Sequence, residues 1–348
     1  MMQSKYVVIF IDDEAKLSKE KSYSARAGLI EQLQKDTRFE LITFHPVEFE
    51  QLGVNGRKAY SPDLVIVDYK LQGVENDEGL NYDGTGYTMT SLCKEAFPDV
   101  PCYLISQLIE KSIEVGDHYD KKISHRFLTE ASGKDVLASD CDSFRAIRNA
   151  NSNLDSYFSL LCVPDEQYDD VRNSMPYTLL QTLRTSEQNE INDSEKPCLL
   201  FARWINKYFL SRRGPTMSTL EFSTLLGLKE EYFIKDFTSV YEDKLENLKY
   251  KGVFYNSFPT RWWSQMAYNF AIELSQGSSP SEPWRVIPEL LSIDEKNWSC
   301  CEICAKPLPE TVALDRESGE WGACHWACCI EGDISEDIAG FEPVLYID

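Results

Sequence analysis

Basic charge is scarce in this chain, and so are histidine and long apolar runs. Against 57 acidic residues stand 35 lysines and arginines, a formal net charge of −22. Proteins gain most of their non-specific affinity for nucleic acid by neutralising phosphates with Lys and Arg. Here no basic run is longer than Lys121–Lys122 or Arg212–Arg213. Strong nucleic-acid binding and attachment to anionic membrane surfaces are therefore not expected. No apolar stretch approaches the ~20 residues of a membrane span. The opening MMQSKYVVIFIDDEAK lacks a small-residue cleavage site and is cut short by acids, so it reads as a first strand and not as a secretory leader. A cytoplasmic protein is the expectation. There are four histidines, and His45, His118 and His125 enter no Ser/His/Asp or Cys/His arrangement. No Walker A or GxGxxG loop is present, and no internal repeat. These absences leave no support for an enzyme of those kinds.

What the chain does contain is enough apolar material for two or three cores, with 348 residues, 43% hydrophobic and 12% aromatic. Of its 11 cysteines, six lie between Cys300 and Cys329. A disulfide scaffold spreads its cysteines through a small secreted domain, whereas clustering at one end of a cytosolic-looking chain points to metal.

The first third alternates strand and helix. YVVIFI (6–11), FELITFHP (39–46), DLVIVD (63–68) and CYLIS (102–106) are short apolar runs of the kind buried on both faces of a parallel sheet. Helical patterns lie between them, around Leu29, Ile30 and Leu33, from Pro46, and from Gly86 to Phe97. The expected fold is α/β, a doubly wound parallel sheet over residues 5–125. Segments 142–162 and 165–185 also look helical, and 185–196 is a polar linker. Residues 197–275 carry aromatics at helical spacing, and SQGSSPSEP (275–283) is a second linker. This predicts a mainly helical domain over 126–275 and a small module over 284–348.

In open α/β sheets, ligands bind at the carboxyl ends of the strands. The first strand ends in Asp12-Asp13-Glu14, the third in Asp68 and the fourth in Ser106. Carboxylates on adjacent strand ends repel one another unless a cation sits among them, and an oxygen-only site suits Mg²⁺. These residues resemble the receiver domains of two-component response regulators, over about a third of the chain. The resemblance continues with Asp83-Gly84 before a helix, FPDVPCYLIS, and the stretch Gly116 to Lys122. It implies a flavodoxin-like fold with Asp68 as phosphoacceptor and Mg²⁺ held by Asp12, Asp13, Asp68 and the backbone carbonyl of Lys70. It further implies Ser106 as the hydroxyl that senses phosphate, Lys122 as its cationic partner, and Tyr119 as the aromatic that swings inward. Two departures stand out. The segment from Asp68 to Gly84 is longer than usual, and the interval from Ser106 to Lys122 is short, which keeps Lys121 and Lys134 open as alternatives to Lys122.

Near the C-terminus, Cys301-x2-Cys304 is followed after 20 residues by His325-x2-Cys328. Two ligand pairs joined by a hairpin-sized spacer can enclose one Zn²⁺ tetrahedrally with no open position. Cys324 is an alternative to His325. The pattern resembles one half of a LIM-type module, or a treble clef.

RWINKYFLSRRGP (203–215), TLEFSTLLGL (219–228) and PTRWW (259–263) fit either a helix-turn-helix effector or a plain apolar core, and Trp262-Trp263 either a partner-binding hot spot or core, with core the favoured reading. The functional expectation is a response-regulator-like signalling protein acting through protein partners. A histidine kinase or related ATPase would be its phosphodonor, and a stress or phage-defence operon one setting. The alternatives are a non-phosphorylated pseudo-receiver scaffold and a transcription regulator.

Overall fold

A computed structural model describes residues 5–14, 24–71, 75–76, 78–106, 119–150, 153–187, 197–314 and 320–330. The chain divides into two compact units: Met1–Tyr157 with Thr178–Arg203, and Phe158–Tyr177 with Trp204–Asp348.

The first unit is α/β. Its elements are β1 (Tyr6–Ile11), α1 (Ser24–Lys35), β2 (Phe39–Phe44), α2 (Pro46–Gln51), α3 (Gly53–Lys58), β3 (Leu64–Asp68), α4 (Gly86–Ala96), β4 (Cys102–Ser106), β5 (Lys121–Ser124), α5 (His125–Thr129) and α6 (Ala131–Asn149). The five strands form one parallel sheet in the order β2-β1-β3-β4-β5. β3 is buried from end to end, which is why its sequence is a continuous apolar run and not an alternation. Residues of one parity, Ile9, Ile11, Val65 and Val67, pack with Met89, Cys93 and Ala96 of α4. On the other parity, the Tyr103 ring meets Phe144 of α6 and its hydroxyl donates to Asp140 at 2.7 Å. Helices thus cover both faces.

Sequence reading missed β5. It is short, only Ile123 is fully buried, and two of its four residues are lysine. It is an edge strand, held by its ladder with β4, by the buried Ile123 and by ion pairs at and beside its start. Lys121 Nζ lies 2.9 Å from the buried Asp140 carboxylate. Asp120 accepts from the Cys102 N–H at 2.7 Å and from Arg203 at 2.6 Å. α6 also runs earlier than the 142–162 pattern implied, and the unit extends past residue 125, because this helix supplies one face of the sheet.

Asp63, just before β3, accepts from the Val7 N–H at 2.8 Å, from Arg145 at 2.6 Å and from Arg148 at 2.9 Å. Burial raises its carboxyl pKa, but these donors outweigh burial and hold it below the usual range. Removing one side of such a network strands charge. Asp63→Ala should cost about 2–3 kcal/mol, under the ~3–5 of fully buried pairs, since Arg145 and Arg148 keep 22% and 24% of their side chains exposed. A depressed carboxylate contributes stability that is complete above its unfolded pKa of about 3.9 and is lost as pH falls through the lower folded value. Denaturant melts from pH 6 down to pH 2, taken as about the carboxylate range, should show Asp63→Asn losing less stability on acidification than wild type.

Along the chain α6 is followed by α7 (Leu154–Leu161), α8 (Tyr168–Ser174), α9 (Tyr177–Glu187) and α10 (Pro197–Trp204). In the second unit, β6 (Thr216–Ser218) and β7 (Arg261–Trp263) pair antiparallel. α11 (Thr219–Leu225) starts at Ser218, whose hydroxyl and Glu221 form a capping box, and the short helices α12 (Glu230–Tyr232), α13 (Thr238–Val240) and α14 (Glu242–Glu246) follow it. Phe222, Phe233, Trp262 and Phe270 anchor the core. The Phe222 and Trp262 ring centroids are 5.2 Å apart, edge to face, and the indole N–H donates to Thr219 Oγ1 at 3.1 Å. Trp262 and Trp263 are each 2% exposed, so they are core residues and not a surface hot spot. α15 (Ser264–Leu274) and α16 (Pro283–Leu290) flank the 275–283 segment expected to be a linker. A hairpin of β8 (Thr311–Leu314) and β9 (Trp321–Cys324) precedes α17 (Trp326–Ile330).

Candidate functional site

Strand order reverses after β2, so the chain crosses from β2 over β1 to β3. This places a topological switch point between β1 and β3, where open sheets form their ligand crevice. The ladder register ends there: Ile11 pairs with Val67, and Asp12 and Asp68 come next. Asp12, Asp13 and Asp68 are buried, at 0%, 5% and 1% exposure. Each offers a carboxylate oxygen within 4.8 Å of the others. The Glu14 N–H closes a turn onto Asp12 Oδ1 at 2.8 Å. The donor set is three hard, anionic oxygens and suits a divalent cation with water in its remaining positions.

The surroundings are tightly built. α4 begins at Gly86, where a Cβ would lie 2.7 Å from the Asp68 carbonyl and 3.0 Å from Tyr69 Cα. Only glycine lets the helix start this close to the strand end. Tyr69, Tyr87 and Tyr119 follow in a chain of ring contacts, at 6.0 and 5.1 Å. Tyr119 is fully buried, and burial, with the Tyr87 hydroxyl next in weight, pushes its phenol well above the usual range. The aromatic expected to swing inward is therefore already inside.

Ser106 ends β4, next to Ile105, which pairs with Asp68. The lysines fall differently. Lys122 pairs with Leu104, two residues short of Ser106, and the β5 residue level with Ser106 is Ser124. Ser124 Oγ caps α5 by accepting from the Phe127 N–H at 3.0 Å. Lys121 is committed to Asp140, and Lys134 lies in the first turn of α6 near Asp36. Lys70 follows the strand end with an exposed side chain. Gly116, Asp117 and His118 lie outside the described residues, as do positions 72–74 and 77 of the long segment after Asp68.

The second candidate site is at the other end of the chain. Cys301 and Cys304 sit on a tight knuckle, closed by Cys301 N–H to Lys306 O at 2.9 Å and Ala305 N–H to Cys301 O at 2.8 Å. Ala305 has φ 57°, a left-handed conformation that favours glycine. β9 delivers His325, and the first turn of α17 delivers Cys328. Ligand atoms of Cys301, Cys304, His325 and Cys328 all lie within 4.8 Å of one another. Cys304 Sγ is 3.4 Å from His325 Nδ1. A zinc tetrahedron with bonds of about 2.0–2.3 Å has edges of about 3.3–3.8 Å, so the spacing fits. His325 Nε2 lies 3.3 Å from the Pro307 carbonyl, a contact that orients the ring and leaves Nδ1 for metal.

The quartet read from the spacing comes together. Cys324, the alternative ligand, does not join it: its thiol bonds the Gly322 carbonyl at 3.3 Å. Burial, with Cys329 second, pushes that thiol up to about 12. For Cys301, burial acts upward, but the N–H groups of Cys304, His325 and Ile303 outweigh it and bring the thiol down to about 6. The backbone is already arranged to stabilise a thiolate, the form a metal needs. The donor set and closed geometry suit a structural Zn²⁺.

No protein-family model matches the chain, and no curated protein matches it in sequence. Among the described residues, no helix is long and apolar enough to cross a membrane.

Proposed function

We propose that the first unit is a receiver-like switch of flavodoxin-like fold, in which Asp68 accepts a phosphoryl group and Asp12 and Asp13 hold a divalent cation beside it. The observation that carries this reading is the gathering of three buried carboxylates at the switch point of a parallel sheet ordered β2-β1-β3-β4-β5. A bound Mg²⁺ would neutralise this charge and that of an arriving phosphoryl group. A carboxylate oxygen of Asp68 then attacks phosphorus, the donor's leaving group departs with its bonding pair, and an aspartyl phosphate remains. Ser106 is the hydroxyl nearest in register to report the change. The donor would be a histidine kinase or related ATPase, and the output a cytoplasmic protein–protein contact, since a charge of −22 disfavours DNA. In the second unit, a knuckle, hairpin and short helix around four ligands resemble a treble clef and would serve as a zinc-braced binding module.

One observation favours a second reading. Ser124 stands level with Ser106 on β5, where the receiver resemblance asks for a lysine, so the pocket would hold a cation but anchor phosphate poorly. The unit would then be a pseudo-receiver scaffold. Intact mass spectrometry after incubation with Mg²⁺ and acetyl phosphate separates the two. The switch reading expects one added phosphoryl group in wild type and none in Asp68→Asn. No gain in wild type, with Mg²⁺ still raising the melting temperature and Asp13→Asn abolishing that rise, assigns the scaffold.

A further inference from the structure

A cleft lined by basic and aromatic side chains lies in the second unit. Residues 248–250 lie antiparallel against β7: the Tyr250 N–H donates to the Arg261 carbonyl at 2.9 Å and the Trp263 N–H to Leu248 O at 2.8 Å, with Lys249 opposite Trp262. This pairing brings Lys249, Lys251 and Arg261, dispersed in sequence, around one cleft of about 590 Å³. That is the volume of a small-molecule site. Tyr255, Asn256 and Phe258 line the same space, and Tyr255 is 50% exposed.

Two features mark the cleft as built and not incidental. The first is the loop that carries its aromatics. Phe254 is fully buried with φ 64°, a conformation that a bulky residue adopts only when its surroundings impose it. Gly252 lies so close to the Leu161 carbonyl that a Cβ would come within 2.6 Å, and the Val253 N–H donates to Leu160 O at 3.0 Å. The loop tip is thereby fixed. The second is Arg261, 8% exposed. Its guanidinium donates to Thr216 O at 3.0 Å and to the Arg212 carbonyl, and the Glu221 carboxylate acts on it through space without a direct ion pair among the described residues. A buried charge met by neutral oxygens and by one carboxylate that makes no hydrogen bond to it is incompletely compensated, and an anion in the cleft would complete it. Lys249 and Lys251 meanwhile share one carboxylate, Glu246, at 2.6 and 2.9 Å. Glu246 occupies the kind of position, between two ammonium groups, that a phosphate oxygen takes.

We propose that this cleft binds a nucleotide, with a di- or triphosphate on Lys249, Lys251 and Arg261 and the base stacked on Tyr255 and Phe258. Asn256 is within the lining to meet a base edge, and the Glu246 carboxylate is the internal competitor that the phosphates displace. Aromatic stacking and cationic contact act together in such sites and make binding salt-dependent.

The test is a fluorescence titration of the full chain with methylanthraniloyl-ATP and methylanthraniloyl-GTP in magnesium buffer at low salt. A saturable rise is expected, reversed by unlabelled ATP, less well by tripolyphosphate and least by adenosine. Lys251→Glu and Tyr255→Ala should each weaken binding by about tenfold or more, a change of about one decade in Kd. Glu246→Gln should strengthen it, as expected if this carboxylate competes with the phosphates for the two lysines. All three positions are on the surface, and unchanged thermal melts establish that the variants are folded. The proposal is overturned by the absence of saturation up to about 1 mM probe, the weak end of specific binding. It is equally overturned by binding that neither Lys251→Glu nor Tyr255→Ala reduces, by tripolyphosphate competing as well as ATP, or by a single-stranded oligonucleotide binding more tightly than any mononucleotide.

Discussion

Cys304→Ser should strip the protein of zinc and unfold the segment from the Cys301 knuckle to α17. The hairpin β8–β9 has four residues in each strand, and its helix has five. A two-stranded hairpin and a single helical turn are not stable by themselves in water. Structural zinc supplies apparent binding energies of about 10–16 kcal/mol in small modules, so losing one of four ligands removes the main source of order there. Elemental analysis should find one zinc per chain in wild type and much less in Cys304→Ser. Limited proteolysis should then cut between residues 301 and 330 in the variant only. Zinc-free wild-type protein, or a variant that keeps its metal, would contradict the assignment. Cys324→Ser serves as the internal control and should retain zinc, because that thiol turns to the Gly322 carbonyl.

Trp262→Ala should be the most damaging single change in the core of the second unit. The side chain is in ring contact with both Phe222 and Phe233, and its N–H bond to Thr219 Oγ1 ties β7 to the start of α11. Truncating a buried tryptophan leaves a cavity worth about 3–5 kcal/mol. In a unit of this size that corresponds to a melting temperature lower by about 10 °C or more. Calorimetry on the full chain reads this directly. A Trp262→Ala protein that melts like wild type would remove the residue from the core. Trp262→Phe should recover part of the loss, since it keeps ring contact but not the indole hydrogen bond.

Parts of this structure were plain in the sequence because one physical demand dictated them. β1 and β4 coincide with YVVIFI and CYLIS, since strands covered on both faces must be apolar throughout. The quartet Cys301, Cys304, His325 and Cys328 was legible because a tetrahedral metal site calls for paired ligands, although spacing alone could not decide between Cys324 and His325. β5 was not legible, because Asp140 and Arg203, 19 and 83 residues away from their partners, hold it. The Asp63 network is equally long-range, reaching Arg145 across 82 residues. The cleft at Lys249, Lys251 and Arg261 left no run of basic residues to notice, because antiparallel pairing assembles it. Among the acids, Asp12, Asp13 and Asp68 were identifiable by their place after strands. The level of the β5 side chains relative to Ser106 depends on register, and no local pattern encodes that.

The salt bridge from Arg203 to Asp120 has a consequence for how the protein is made. The first unit takes its last segment, Thr178–Arg203, from beyond a stretch that belongs to the second. A ribosome must therefore release residue 203 before β5 receives its clamp, and until then the Asp120 carboxylate has the Cys102 amide but not the arginine. Domains ordinarily settle one after another as the chain emerges. Here both must wait, since Phe158–Tyr177 is synthesised ahead of the body it joins. A nascent chain halted near residue 150 would expose an edge strand lacking its arginine, a surface open to unintended pairing. The two units are bound to a shared schedule of synthesis, and a gene fragment cut at the apparent end of the sheet would not reproduce the first one.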